Sequence, residues 1–217
     1  MRGDPIKTTV LSVRIIPNAD PLLLKALGVS GGHRSLGLFT TDCDDVSYAA
    51  LDEATKMADV QVAYAKSMYA GSSNASTRLA GEFLGILSGP DPAQVRSGLE
   101  AAVSYIENDS CFYSANEDNS VVYFNQCISR TGAYLSAQAG VAPGTAMAYL
   151  IAPPIEATVG LDAALKAAQV ELKVFYGPPT ETNFAGGLLV GQQAACKAAC
   201  EAFAEAVCQI AADPTTY

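Results

Sequence analysis

Apolar positions along the chain keep two rhythms, one of two residues and one of three to four. Leu11, Val13 and Ile15 alternate with Ser12 and Arg14, the period of a half-buried strand. Residues 35–40 are mostly apolar and predict a second strand. Asp42, Asp44 and Asp45 then supply an acidic N-cap for a helix whose face carries Val46, Ala50, Ala54 and Met57. Residues 60–64 read as a strand, 67–78 as a loop rich in Gly, Ser, Asn and Ala, and 82–87 as a strand. Asp91 as cap and Pro92 in the first turn open a helix with the stripe Val95, Leu99, Ala102 and Ile106.

The second half keeps the same order. Strands are predicted at 121–126, 147–151, 170–175 and 187–190, with helices at 154–168 and on to 211. Short extra helices are expected near 21–27 and 130–137. Residue identities repeat as well: Leu51-Asp52 and Lys56 align with Leu161-Asp162 and Lys166, an offset of 110 residues. Ala80-Gly81-Glu82 aligns with Ala185-Gly186-Gly187, and Val95 and Leu99 with Cys196 and Cys200. One supersecondary unit therefore occurs twice, dividing the chain at 1–110 and 111–217 with almost no linker. Four strands and two long helices per copy, the long helices on one sheet face, predict an α+β fold of two tandem ferredoxin-like domains.

Composition narrows the function classes. Half of the 217 residues are hydrophobic and 16% are charged, which suits close-packed elements and buried subunit contacts. The net charge of −9 argues against nucleic acid and anionic membrane surfaces. No apolar run approaches the roughly 18 residues of a membrane span, and the start has no signal-peptide core. The expected compartment is the cytosol.

Few residues suggest chemistry. His33 is the only histidine and sits in a turn, so a surface role is expected and no zinc site. Cys196 and Cys200 share a helix face, but their alignment with Val95 and Leu99 makes them small core residues. Cys43, Cys111, Cys127 and Cys208 show no metal-ligand spacing. Asp42, Asp44 and Asp45 outnumber what a cap needs, and the second copy has Ala152-Pro153-Pro154-Ile155 there. Glu82 likewise aligns with Gly187. Asp45 and Glu82 together could hold a small cation through charge-assisted hydrogen bonds; solvated acids are the other reading. The flexible loop 67–78 and its counterpart 177–183 could gate or bind, or simply be surface loops.

Several strings carry a resemblance. Arg34-Ser35-Leu36-Gly37-Leu38, Asp44-Asp45-Val46, Ser129-Arg130-Thr131-Gly132, Tyr149-Leu150-Ile151-Ala152-Pro153-Pro154 and Glu181-Thr182-Asn183-Phe184 occur in this order. Together they resemble bacterial microcompartment shell proteins of the tandem-domain type, most closely those of ethanolamine-utilization compartments. The likeness covers the chain from about residue 8. The strand ending Ile15-Ile16-Pro17 stands first rather than last, which is similar to that family's circular permutation.

The resemblance implies circularly permuted BMC domains and a homotrimer whose six domains make a pseudohexagonal tile. It implies packing with other shell proteins in the microcompartment shell of a bacterial cytoplasm, with no enzymatic activity. The loops after the third strand of each copy would line a gated central pore: Tyr69, Gly71, Ser72, Ser73 and Asn74, and Pro178, Pro179 and Thr180. Ethanolamine would bind a smaller per-subunit pore at Asp45, Glu82, Phe112 and Thr182, with an aromatic face adding cation–π attraction. No cofactor is required, though cobalamin at the central pore fits the family pattern. Two rivals are a tandem shell protein of an ethanol or propanediol compartment, and a metabolite-binding protein or enzyme using the same acids on a ferredoxin-like scaffold.

Overall fold

The chain order of strands and helices already contains the permutation. The computed structural model describes residues 1–68 and 79–215. In order the elements are β1 (Pro5–Ile6), β2 (Val10–Ile16), α1 (Pro21–Ala26), β3 (Ser35–Thr41), α2 (Asp44–Met57), β4 (Gln61–Ser67), β5 (Phe83–Gly89) and α3 (Pro92–Asn108). There follow β6 (Phe112–Ser114), β7 (Val122–Ile128), α4 (Ala133–Ala139), β8 (Met147–Ala152), α5 (Pro154–Ala167), β9 (Val170–Tyr176), β10 (Ala185–Gly191) and α6 (Gln193–Ala212). Among them no helix is long and apolar enough to cross a membrane.

Two compact units emerge. The first contains Lys7–Ser110 and Gly132–Leu135. Its antiparallel sheet has the order β2-β3-β5-β4. Taking β3 as the start of a ferredoxin-like βαββαβ chain, this is the usual order 4-1-3-2, with the fourth strand supplied from the N-terminal side as β2. Strand alternation splits the sheet faces. Gly37 faces α3 so closely that a Cβ there would lie 2.6 Å from Val95. Leu36 and Ile86 face the other way and pack with Ala19, Leu24 and Leu27 around α1. Asp91 caps α3 as expected, accepting from the N–H groups of Ala93 (2.8 Å) and Gln94 (2.9 Å).

The second unit contains Met1–Ile6, Cys111–Thr131 and Ser136–Tyr217. Its sheet has the order β1-β6-β7-β8-β10-β9, the same four-strand arrangement extended by a short ribbon. The hexapeptide at the start counts here because Pro5 and Ile6 pair with Tyr113 and Phe112. Leu150, Leu189, Leu161, Cys196 and Phe203 form the core beneath α5 and α6. Cys196 and Cys200 are buried in it, as their alignment with Val95 and Leu99 requires.

Three local expectations need correction. Met57 is 64% exposed rather than on the buried face, because α2 ends there and its last turn leaves the core. The residue preceding α2 is Cys43, which makes no side-chain cap; Asp44, one position inside, instead accepts from the N–H of Asp45 at 2.9 Å. The alignment of Glu82 with Gly187 also fails. Phe83 pairs with Thr41 and Ala185 with Ala152 at the ends of equivalent strands, so Glu82 corresponds to Phe184 and Gly81 to Asn183. Gly81 and Asn183 share a left-handed backbone, φ +63° and +59°, which supports this register. The glycine run 186–187 mimics Gly81 in sequence and caused the slip.

Two stability predictions follow from these contacts. Asp91→Ala should lower the unfolding free energy by about 1 kcal/mol, read from urea denaturation of the full chain. Cys196→Val, which copies the residue of the sister unit, should cost less than about 1.5 kcal/mol in the same assay. A loss of several kcal/mol would contradict a plain packing role.

Candidate functional site

The acids gather at the corner where β3 hands over to α2. Thr41 ends β3, and its hydroxyl meets that of Ser47 at 2.6 Å while Ser47 also donates to the carbonyl of Cys43 at 2.7 Å. This hydroxyl pair locks the turn into the helix. Asp42 ties the corner to the start of β2, its carboxylate accepting from the N–H of Thr9 at 2.7 Å. The other carboxylate oxygen of Asp44 accepts from the Ser67 hydroxyl at 2.8 Å, reaching the end of β4. Asp44 and Asp45 are both buried.

Glu82 is held at the same corner by its backbone. Its N–H donates to the carbonyl of Thr41 (2.8 Å), and its own carbonyl accepts from the N–H of Met68 (2.7 Å). The preceding residue must be glycine: a Cβ on Gly81 would sit 2.1 Å from the Thr41 carbonyl oxygen, and φ is positive there. The Glu82 carboxyl is held above its ordinary pKa, first by burial and then by the charges of Asp44 and Asp42. Burial, with help from Asp45 and Asp44, also pushes the Cys43 thiol well up, so it stays protonated. Among the described residues no lysine or arginine forms an ion pair with Glu82.

The other expected residues are placed as follows. Asp45 and Glu82 belong to the first unit, and Phe112 and Thr182 to the second. Phe112 opens β6, is buried, and stacks against Phe124 (5.3 Å between centroids) and Phe184 (6.1 Å). Thr182 is half-buried in the turn before β10. That turn is fastened by the Thr180 hydroxyl, which donates to the carbonyl of Phe184 at 2.8 Å. Pro178 and Pro179 are exposed on the same loop. Tyr69, Gly71, Ser72, Ser73 and Asn74 lie outside the described residues. His33 sits before β3, at the end away from the acids, with Nδ1 3.1 Å from the Ser88 hydroxyl.

Two groups escaped the sequence reading. Asp52 on α2 is fully buried, accepting from the N–H groups of Gly132 (2.7 Å) and Leu135 (2.8 Å). Only its apolar flanks, Leu51 and Ala54, hint at burial in the sequence. Cys127 on β7 shares a hydrogen bond with Cys200 on α6; accepting it, with Lys197 nearby, brings the Cys127 thiol down to about 7 against the effect of burial. Strand and helix bring these two together from residues far apart in sequence, so no spacing announces the pair.

Comparison with known proteins agrees with this architecture. The BMC domain family matches residues 35–117. Over 217 residues the chain is 61% identical to the bacterial microcompartment shell protein EutL of Clostridium perfringens (strain 13 / Type A), covering 100% of both chains. It is 49% identical over 211 residues to EutL of Salmonella typhimurium, covering 97% of this chain and 96% of that one. The crystal structure of ethanolamine utilization protein EutL from Leptotrichia buccalis C-1013-b superposes with a TM-score of 0.97 at 62% identity, over 100% of each chain. Permuted tandem units and this likeness along the whole chain place the protein in one family: it belongs to the BMC-domain bacterial microcompartment shell proteins of the EutL type.

Proposed function

We propose that the chain is a structural, non-catalytic component that forms homotrimeric, pseudohexagonal tiles in the shell of an ethanolamine-utilization microcompartment. In this reading the first unit binds ethanolamine through its ammonium at the acidic corner, and the loops 67–78 and 177–183 line a gated central pore. The observation that carries the binding part is the grouping of Glu82 with Asp42 and Asp44: burial first, and then the charges of these two carboxylates, raise the Glu82 pKa. A small primary ammonium relieves that repulsion by placing a donor with three N–H bonds among acceptor-only groups. Partial burial strengthens the attraction relative to water. Asp45, on the same first turn of α2, adds a fourth carboxylate to the corner. Its sister position is Ile155 and that of Glu82 is Phe184, so only one unit of the pair is equipped for a cation. Similarity to proteins named for ethanolamine utilization supports ethanolamine as that cation.

Asp45→Ala and Glu82→Gln should each weaken ethanolamine binding by about tenfold or more, roughly 1.4 kcal/mol, in isothermal titration. The mass in solution should stay unchanged. Binding unaffected in both variants would remove the acidic corner from the site.

The pH dependence has a definite sign. Because the Glu82 pKa is raised, the folded protein holds a proton that an ordinary carboxylate has already released. Ammonium binding must displace that proton, so affinity should fall as pH is lowered through the range above the usual glutamate value. Titrations at a series of pH values should show this slope in the unaltered protein and a shallower one in Glu82→Gln.

A further inference from the structure

We propose that Cys127 and Cys200 form a peroxide-reactive thiol pair that closes reversibly into a disulfide between β7 and α6. The pair lies within the second unit and is independent of the acidic corner.

Strand and helix place the two thiols against each other. Side chains alternate along a strand, so Asn125 and Cys127 share one face of β7. The Asn125 side-chain amide donates to the carbonyl of Cys200 at 3.3 Å, and the Cys127 thiol donates to the carbonyl of Gln193 at 4.0 Å, so that face lies against α6. Gln193 and Cys200 are two turns apart on one side of the helix. Within that span the Cys200 thiol donates a hydrogen bond to the Cys127 sulfur.

The two thiols differ in access and in acidity. Strand β6 pairs with β7 only at Val122 and Tyr123, so among the described residues no strand covers the outer edge of β7 at Cys127. Cys127 is half-buried, and Cys200 is buried in the core. With its thiol brought to about 7 by the Cys200 bond, and with Lys197 nearby, Cys127 carries a large share of thiolate at neutral pH. Cys200 is pushed the other way by donating that bond, by burial, and by Cys127, Cys196 and Glu201, and stays protonated. One sulfur is thus equipped to attack an incoming reagent and the other to resolve the product.

The sister unit shows what the same place holds when only packing is required. Strand β7 follows β2 by 112 residues, so Cys127 corresponds to Ile15, as Cys200 does to Leu99. Ile15 pairs with Gly37, and a Cβ on Gly37 would lie 2.8 Å from Leu99, so strand and helix approach there in the same way. Isoleucine and leucine fill that space with carbon. Replacing both by cysteine gives up apolar volume on the strand and on the helix together, and what it adds is two sulfurs within bonding reach.

The chemistry balances with a peroxide as oxidant. The Cys127 thiolate attacks one peroxide oxygen, the O–O bond breaks, and hydroxide leaves; the sulfur is oxidised to a sulfenic acid and the peroxide is reduced. The Cys200 sulfur then attacks the Cys127 sulfur, the S–O bond breaks, and the departing hydroxide takes the Cys200 proton as water. Two thiols and one peroxide become one disulfide and two waters. A dithiol reductant restores both thiols by exchange.

The test treats the folded full-length chain with hydrogen peroxide and maps its peptides without reduction. The unaltered chain should lose two hydrogens, yield a peptide joining Cys127 to Cys200, and regain its mass in dithiothreitol. In Cys200→Ala, Cys127 should stop at the sulfenic acid and be trapped by dimedone; in Cys127→Ala, Cys200 should stay reduced. Without peroxide, Cys127 of the unaltered chain should react with iodoacetamide at least about tenfold faster than the buried Cys111, Cys196, Cys200 and Cys208. The first and last measurements use the unaltered chain, so they stand even where a variant folds poorly. A Cys127 that stays reduced, that joins Cys196 instead, or that reacts no faster than the buried thiols would overturn the proposal.

Discussion

A carboxylate with no solvent exposure persists only if donors replace the water it has lost, and Asp52 is such a group. Burial pushes its pKa up, and the N–H groups of Gly132 and Leu135 oppose that shift. Those donors come from about eighty residues further along the chain, so the first unit is complete only when it includes Gly132–Leu135. The same bonds fix α2 along its axis. Since Asp44 and Asp45 lie in the first turn of α2, the position of the acidic corner depends on the satisfaction of Asp52. Gly132 shows how tight this junction is, with no room even for a methyl group.

Much of the fold was legible because the chain states it twice. Periodicity gave both sheets and four long helices, since seven-residue strands and helices of fourteen or more leave a clear signal. The β1–β6 ribbon was not legible: two- and three-residue strands are too short for any period to show. The error at Gly187 has a similar origin. Identity of small residues outweighed strand register, which only pairing reveals. Of the candidate site, the acids of α2 could be read because they exceed what a helix start needs. The grouping of Glu82 with Asp42 and Asp44 could not, since a hydrogen-bonded connection between the ends of three strands creates it. Cys127 and Cys200 illustrate the same limit in the second unit.

Corrected for that register, the asymmetry between the copies becomes sharper. Glu82 is matched by Phe184, whose ring stacks on Phe112, and Asp45 by the exposed Ile155. An acid of the corner has thus become an aromatic packed on Phe112 in one case and an exposed apolar residue in the other. Duplication permits this because each unit has its own four-strand sheet and two long helices, so the two copies can differ at these positions.

The consequence is a division of labour set by packing. The α2 face is covered within its own unit, so its start can hold buried acids in a fixed geometry. Among the described residues its counterpart on α5 presents Ile155 and Val159 to solvent instead. A buried acid is tolerated on α2 because the Ser67 hydroxyl and the N–H of Asp45 replace the water that Asp44 loses. The acids therefore sit in the copy where folding itself supplies donors to replace their water, and apolar residues occupy the exposed counterpart positions.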